Sequence, residues 1–225
     1  MVSGVRPTLI LILLASSAHA FELRKDRSGE TVRWPATVSF VVDRKLDAKL
    51  GASGAMQAVQ GAVSTWAGAG TQLTVEPGEV DGVKFDGKNQ IVVIDDDWPY
   101  DADVMAVTVV TVDVTNHRII DADIAINAAQ NQFQVLAPDS KRGGNQVDVQ
   151  NTLTHELGHA LGLQHDMGHP ESVMFPMAYA GDVDKRALSA DDLAALDALY
   201  PLRGMGCSLA GGSPFLLLLA LSVAR

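Results

Sequence analysis

The sequence predicts an α/β or α+β domain built on a mixed sheet, and three observations predict it. Short β-branched runs and amphipathic helical stretches follow one another in the order strand, helix, three or four strands, helix, helix. Apolar residues make up 47% and charged residues 20% of the 225-residue chain, the balance of a folded globular protein with a core. No internal repeat or low-complexity segment breaks the pattern, so one compact domain is expected.

Residues 1–20 read as a secretory signal. Arg6 supplies a positive charge, Leu9 to Leu14 is an unbroken apolar run, and Ala18-His19-Ala20 is a small-x-small cleavage site. A buried N-terminal helix is the weaker alternative, and the mature chain is expected to begin at Phe21. A secreted or cell-surface location follows. Cys207 is the single cysteine, so no intrachain disulfide is available.

Thr37 to Val42 is short, apolar and β-branched after Trp34-Pro35, which predicts the first strand. Ala52, Met56, Val59, Val63 and Trp66 then recur at three- and four-residue spacing, as on a helix burying one stripe, and Gly68 and Gly70 close it. Leu73 to Val75 and Gln90 to Ile94 predict two further strands. Ala106 to Val112 and Arg118 to Ile126 read as a hairpin around Thr115-Asn116-His117, where Asn suits a left-handed turn position. Pro138 to Asn145 is a polar loop leading into the helix that carries the chemistry. A last helix is signalled by Ser189 and Asp192 placed as a capping box, followed by Leu193, Leu196 and Leu199 and stopped at Pro201.

The segment from His155 to Asp166 matches H-E-x-x-H-x-x-G-x-x-H-D, far more specific than a bare H-E-x-x-H. Residues four apart share one helix face, so His155 and His159 can place two imidazole nitrogens on one ion at about 2.0–2.1 Å. Glu156 projects beside them as a general base. A third ligand six residues past His159 requires the chain to turn, and Gly162 adopts positive φ cheaply there, bringing His165 back. Three neutral imidazoles leave Zn²⁺ its charge and a fourth position for water, which the metal acidifies toward a pKa of about 7.

These residues resemble the metzincin zinc peptidases, and within them the matrixins. Ser172-Val173-Met174-Phe175-Pro176 looks like the family's Met-turn, which implies that Met174 is an apolar floor below the metal; a Met in an apolar loop is otherwise simple core. Ala58, Ala62 and Trp66, then Thr71 and Leu73, Asp121-Ala122-Asp123-Ile124, and Leu188-Ser189 through Leu199-Tyr200 extend the resemblance over Val32 to Pro201. It implies a metzincin-like α/β (α+β) fold. The fold so implied has a twisted, mixed five-stranded sheet and two helices above a zinc cleft, and a small C-terminal subdomain with one helix. It also implies a catalytic domain over residues 21–203, one catalytic zinc and a protein or peptide substrate.

Three departures qualify the resemblance. No cysteine-bearing propeptide is expected, since the single cysteine, Cys207, lies after the zinc helix, and latency by a thiolate on zinc is not expected either. His117 is the one histidine upstream of the zinc helix after the signal, so a second zinc is not expected. The family's Pro-x-Tyr pocket wall is altered, with Met177 and Ala178 between Pro176 and Tyr179. His169 reads as a solvent-exposed loop histidine rather than a ligand. The acidic cluster Asp95, Asp96, Asp97, Asp101 and Asp103 offers enough oxygens for Ca²⁺ and equally reads as a solvated loop.

Residues 204–225 form a tail with a glycine-rich stretch around Cys207, an apolar run from Phe215 to Leu221 and a terminal Arg225, too short to span a bilayer. A terminal core helix is one reading. The pattern also resembles the C-terminal sorting signals of myxobacterial surface proteins, which implies processing near Cys207 and transient membrane association. The formal net charge of −10 excludes nucleic acid as a natural partner. A monomer is expected. The reading is thus a secreted zinc endopeptidase, against the alternative of a zinc-containing cell-surface binding protein that does not cut.

Overall fold

The computed structural model describes residues 21–67 and 72–201. The signal segment, the glycines expected to close the first long helix, and the sorting tail lie outside the described residues. Five strands form one mixed sheet: β1 (Val38–Asp43), β2 (Leu73–Gly78), β3 (Asn89–Ile94), β4 (Ala106–Asp113) and β5 (Arg118–Asn127). The spatial order is β2-β1-β3-β5-β4. β1 runs parallel to β2 and β3, β3 runs parallel to β5, and β4 closes one edge antiparallel to β5.

The sequence explains who sits in the middle. In β3 the run from Gln90 to Val93 is buried, and in β5 every residue from Asp121 to Asn127 is buried, as parallel strands covered on both faces require. β4, rich in Val and Thr, is mostly half-buried and leaves one edge unpaired in the sheet. The hairpin between β4 and β5 forms as expected, but His117, not Asn116, takes the left-handed position, at φ 52°.

A short helix, α1 (Lys45–Leu50), for which the sequence pattern gives no signal, precedes α2 (Ala52–Ala67), the helix expected from Ala52 onward. Six residues give too few turns for a period to emerge. Val59, Val63 and Trp66 of α2 are buried as predicted. The helix α3 (Val149–Leu161) packs beside α2, with Leu153, Leu157 and Leu161 in the same core as Phe40, Ile91 and Ile124. Asp148 caps it, accepting from the Asn151 N–H at 2.7 Å. Two further strands escaped the sequence reading, β6 (Gln132–Gln134) and β7 (Gln146–Asp148), which pair in parallel across the polar loop.

The last helix, α4 (Ala190–Leu199), begins at the capping box of Ser189 and Asp192. Its leucines divide between core and solvent. Leu196 and Leu199 enter the core, but Leu193 is exposed and Ala195 fills the stripe instead.

Candidate metal centre

α3 carries His155, Glu156 and His159 at its C-terminal half, and its exit is fixed by Gly162. Gly162 has φ 108°, and a Cβ there would stand 2.9 Å from the Val32 carbonyl oxygen, so conformation and space both require glycine. Around this turn the N-terminal segment pairs with the chain leaving α3: Arg24 N donates to Gly162 O, and Gln164 N donates to Glu22 O. Trp34 Nε1 donates to Ala160 O and the Tyr200 hydroxyl to Leu161 O, holding the same exit from the other side.

The turn brings His165 back to the helix. Its ring centroid lies 4.7 Å from that of His159 and 5.3 Å from that of His155, which are themselves 4.8 Å apart. One ligand nitrogen of each lies within 4.8 Å of the other two, so the three could hold a metal ion. Nδ1 of His155 is 2.6 Å from Val173 O and Nδ1 of His159 is 3.0 Å from Leu163 O. Each contact requires a proton on Nδ1, which leaves Nε2 with its lone pair for a metal. Burial pushes the pKa of all three down, His155 well below the usual histidine range and His159 to about 4. Neutral imidazoles at neutral pH are the ligating form, and a three-histidine set suits Zn²⁺ with an open position.

Glu156 is buried next to these rings. Burial pushes its carboxyl up to about 7, against the opposing effects of a Thr108 hydrogen bond and of Lys185. Thr108 Oγ1 donates to Glu156 Oε2 at 2.6 Å from the edge strand β4. Below the site, Met174 is buried with its sulfur packed against Gly158, where an added Cβ would also meet the Trp66 ring at 2.9 Å. Helix, Met-turn and Trp66 approach closely because Gly158 has no side chain.

Asp192 holds the Met-turn in place. Its carboxylate accepts from Ser172 Oγ at 2.6 Å and Val173 N at 2.9 Å, while also capping α4 through Ser189 N at 2.8 Å. The sequence showed Asp192 as a cap but not as this clamp, because a contact across twenty residues leaves no local pattern. Thr108 and Lys185 were missed for the same reason. Lys185 sits in a short 3-10 turn, Asp184–Arg186, fixed to α3 by its own N–H donating to Asn151 Oδ1 at 2.7 Å.

His169 departs from the sequence expectation. It is half-buried, with Nδ1 2.8 Å from the buried Asp166 carboxylate, and with Asp166 and Asp191 forms a second grouping of potential ligands. Proximity to two carboxylates, not solvent, defines its setting, and Asp166 chiefly raises its pKa. The acidic cluster between β3 and β4 gives calcium no support. Asp95 is paired with Lys45 at 2.9 Å, and Asp101 accepts from Asp103 N. Among the described residues none of the five belongs to a grouping of potential ligands.

The histidines open on a cleft of about 500 Å³, walled by β4 on one side and by Pro176, Met177 and Ala178 on the other. A larger hollow of about 970 Å³ lies near Trp34, His117 and Tyr200, and none of the three clustered histidines lines it.

The matrixin family model matches residues 17–201. Human matrix metalloproteinase-26 is 46% identical over 55 residues, 24% of this chain and 20% of that protein. Rabbit (Oryctolagus cuniculus) macrophage metalloelastase is 48% identical over 46 residues, 20% of this chain and 10% of that protein. Cat (Felis catus) matrilysin is 46% identical over 50 residues, 22% of this chain and 19% of that protein. These matches span a fifth or less of each relative's length. A chain in the GM1-bound form of the ECX AB5 holotoxin has a TM-score of 0.48 at 12% identity, covering 80% of this chain and 88% of that one, too distant to carry an argument. With the family model covering the sheet, the histidine helix and the Met-turn together, the chain belongs to the matrixin family of zinc peptidases.

Proposed function

We propose that this protein is an exported zinc-dependent endopeptidase, with His155, His159 and His165 holding the metal and Glu156 moving the protons. The observation that carries the reading is the convergence of three neutral imidazoles and one buried carboxylate in a cleft beside an unpaired strand edge. Bound zinc supplies Lewis acidity at the scissile carbonyl and makes a water molecule acidic enough to attack near neutral pH.

An extended peptide adds to the free edge of β4 through main-chain hydrogen bonds, which presents one carbonyl to the histidines. Glu156 takes a proton from the attacking water and passes it to the departing amine. Thr108 orients the carboxylate for both transfers, Gly162 sets the return of His165, and Met174 supports the helix from below. Export rests on the signal-like residues 1–20, and surface delivery on the tail from Gly204. Among the described residues no helix is long and apolar enough to cross a membrane.

Turnover of a quenched peptide library, with zinc measured in parallel, tests the reading. The wild type cleaves, Glu156→Ala keeps zinc but loses nearly all turnover, and His159→Ala loses the metal as well. Equal turnover in Glu156→Ala and wild type would end the proposal. Zinc in both with cleavage in neither would support a surface binding protein instead.

A further inference from the structure

We infer that the cleft selects peptides with an acidic side chain flanking the scissile bond, and that Lys185 is the residue that reads it. Lys185 is 9% exposed yet lines the cleft together with Asn151, Met177 and Ala178. Its ammonium donates to the Phe175 carbonyl and lies 3.1 Å from His155 Nδ1, which already faces Val173 O. None of these partners is an anion.

The nearby carboxylates are engaged elsewhere. Glu156 accepts from Thr108, Asp192 from the Met-turn and Ser189, and Asp182 pairs with Arg142 at 2.7 Å. No ion pair among the described residues includes Lys185. Glu156, Asp192 and Asp182 act on the ammonium only through space, none in ion-pair contact, and burial outweighs them in lowering its pKa. A buried ammonium without a contacting carboxylate is costly, and the cost falls when one arrives. The walls are compatible with this: an aliphatic stem can lie against Met177 and Ala178 while its carboxylate reaches Nζ.

A second cation has the same character. Arg24 also lines the cleft, and its Nε is buried with no hydrogen-bond partner. The carboxylates lining the cleft are Glu156 and the exposed Asp103. In a chain of net charge −10, two cations that line the cleft outside any ion pair among the described residues oppose the overall sign. That placement favours an acidic ligand and disfavours a basic one.

The inference rests on the peptidase reading, and the two fail separately. Four peptides identical except for Glu, Gln, Leu or Lys beside the bond, substituted on either side in turn, are compared for cleavage by the zinc-loaded wild type. Their affinities for Glu156→Ala are measured by calorimetry. The Glu peptide is expected to exceed its Gln counterpart by about tenfold in kcat/KM and in affinity at one of the two positions, with Lys weakest. Lys185→Met removes the Glu-over-Gln ratio, and Lys185→Arg restores it, which a merely structural lysine would not do.

Cleavage without a Glu preference overturns the inference and leaves the peptidase standing. Preferential binding of Glu without any cleavage supports the charge selection and overturns the peptidase. Neither preference nor cleavage overturns both. The wild-type series decides the matter even if a Lys185 variant does not fold.

Discussion

Thr108 and Glu156 meet across the cleft, one from the edge strand and one from the helix, at 2.6 Å. A hydroxyl donating to a carboxylate is worth roughly 1.5–3 kcal/mol, and here it also fixes the rotamer of the group that must face water. Thr108→Val keeps the shape of the side chain and removes the donor. It should lower kcat about tenfold or more while zinc content and KM stay near wild type. An unchanged kcat would show that Glu156 needs no such orientation. At this scale the ligands were legible and their supports were not. His155 and His159 announce themselves because a helix puts residues four apart on one face. Thr108 meets Glu156 across 48 residues of chain, and no local period encodes that.

Among the elements, the exit of α3 decides whether the three histidines form a set. Gly162 ends the helix with φ 108° under the Val32 carbonyl, and three residues later His165 faces the other two rings. Gly162→Ala asks a side chain to occupy a left-handed conformation with an oxygen 2.9 Å from its Cβ. The expected outcome is a loss of about 1–3 kcal/mol in stability together with weaker zinc binding, read by thermal unfolding with and without chelator. Unaltered unfolding and zinc affinity would mean that the turn is not what places His165. This turn was foreseen because a geometric demand, the return of a third ligand, coincided with a glycine. The strands β6 and β7 had no such signal. Three residues each, they contain no alternation long enough to see, and their pairing joins segments separated by the polar loop. The leucines of α4 mark the helix, while the side that meets the core includes Ala195 and leaves Leu193 in solvent, a choice set by the packing of the whole domain.

For the whole molecule, most element types and the β4–β5 hairpin follow from composition and period, whereas the rest of the strand order, β2-β1-β3-β5, comes from long-range parallel pairing that no local pattern specifies. One tie across that topology has a measurable pH signature. Asp26, in the N-terminal segment that lies along the exit of α3, holds His117 at the tip of the β4–β5 hairpin, with Nδ1 2.6 Å from Oδ2. The pair raises the pKa of His117, and the hydrogen bonds from His117 and Ser28 hold the Asp26 carboxyl well below the usual range. The raised histidine contributes stability that is complete below its unfolded value of about 6.5 and is lost as pH rises through the higher folded value. The depressed carboxylate contributes stability that is complete above about 3.9 and is lost as pH falls through the lower folded value. The tie is therefore strongest between about pH 4 and pH 6.5. His117→Asn, which keeps a residue tolerant of the left-handed turn, should lower the Tm most in that window, and the difference from wild type should shrink toward pH 8. A Tm difference constant from pH 4 to pH 8 would mean that His117 contributes through packing or turn geometry, and that the N-terminal segment is held to the hairpin without the charge pair.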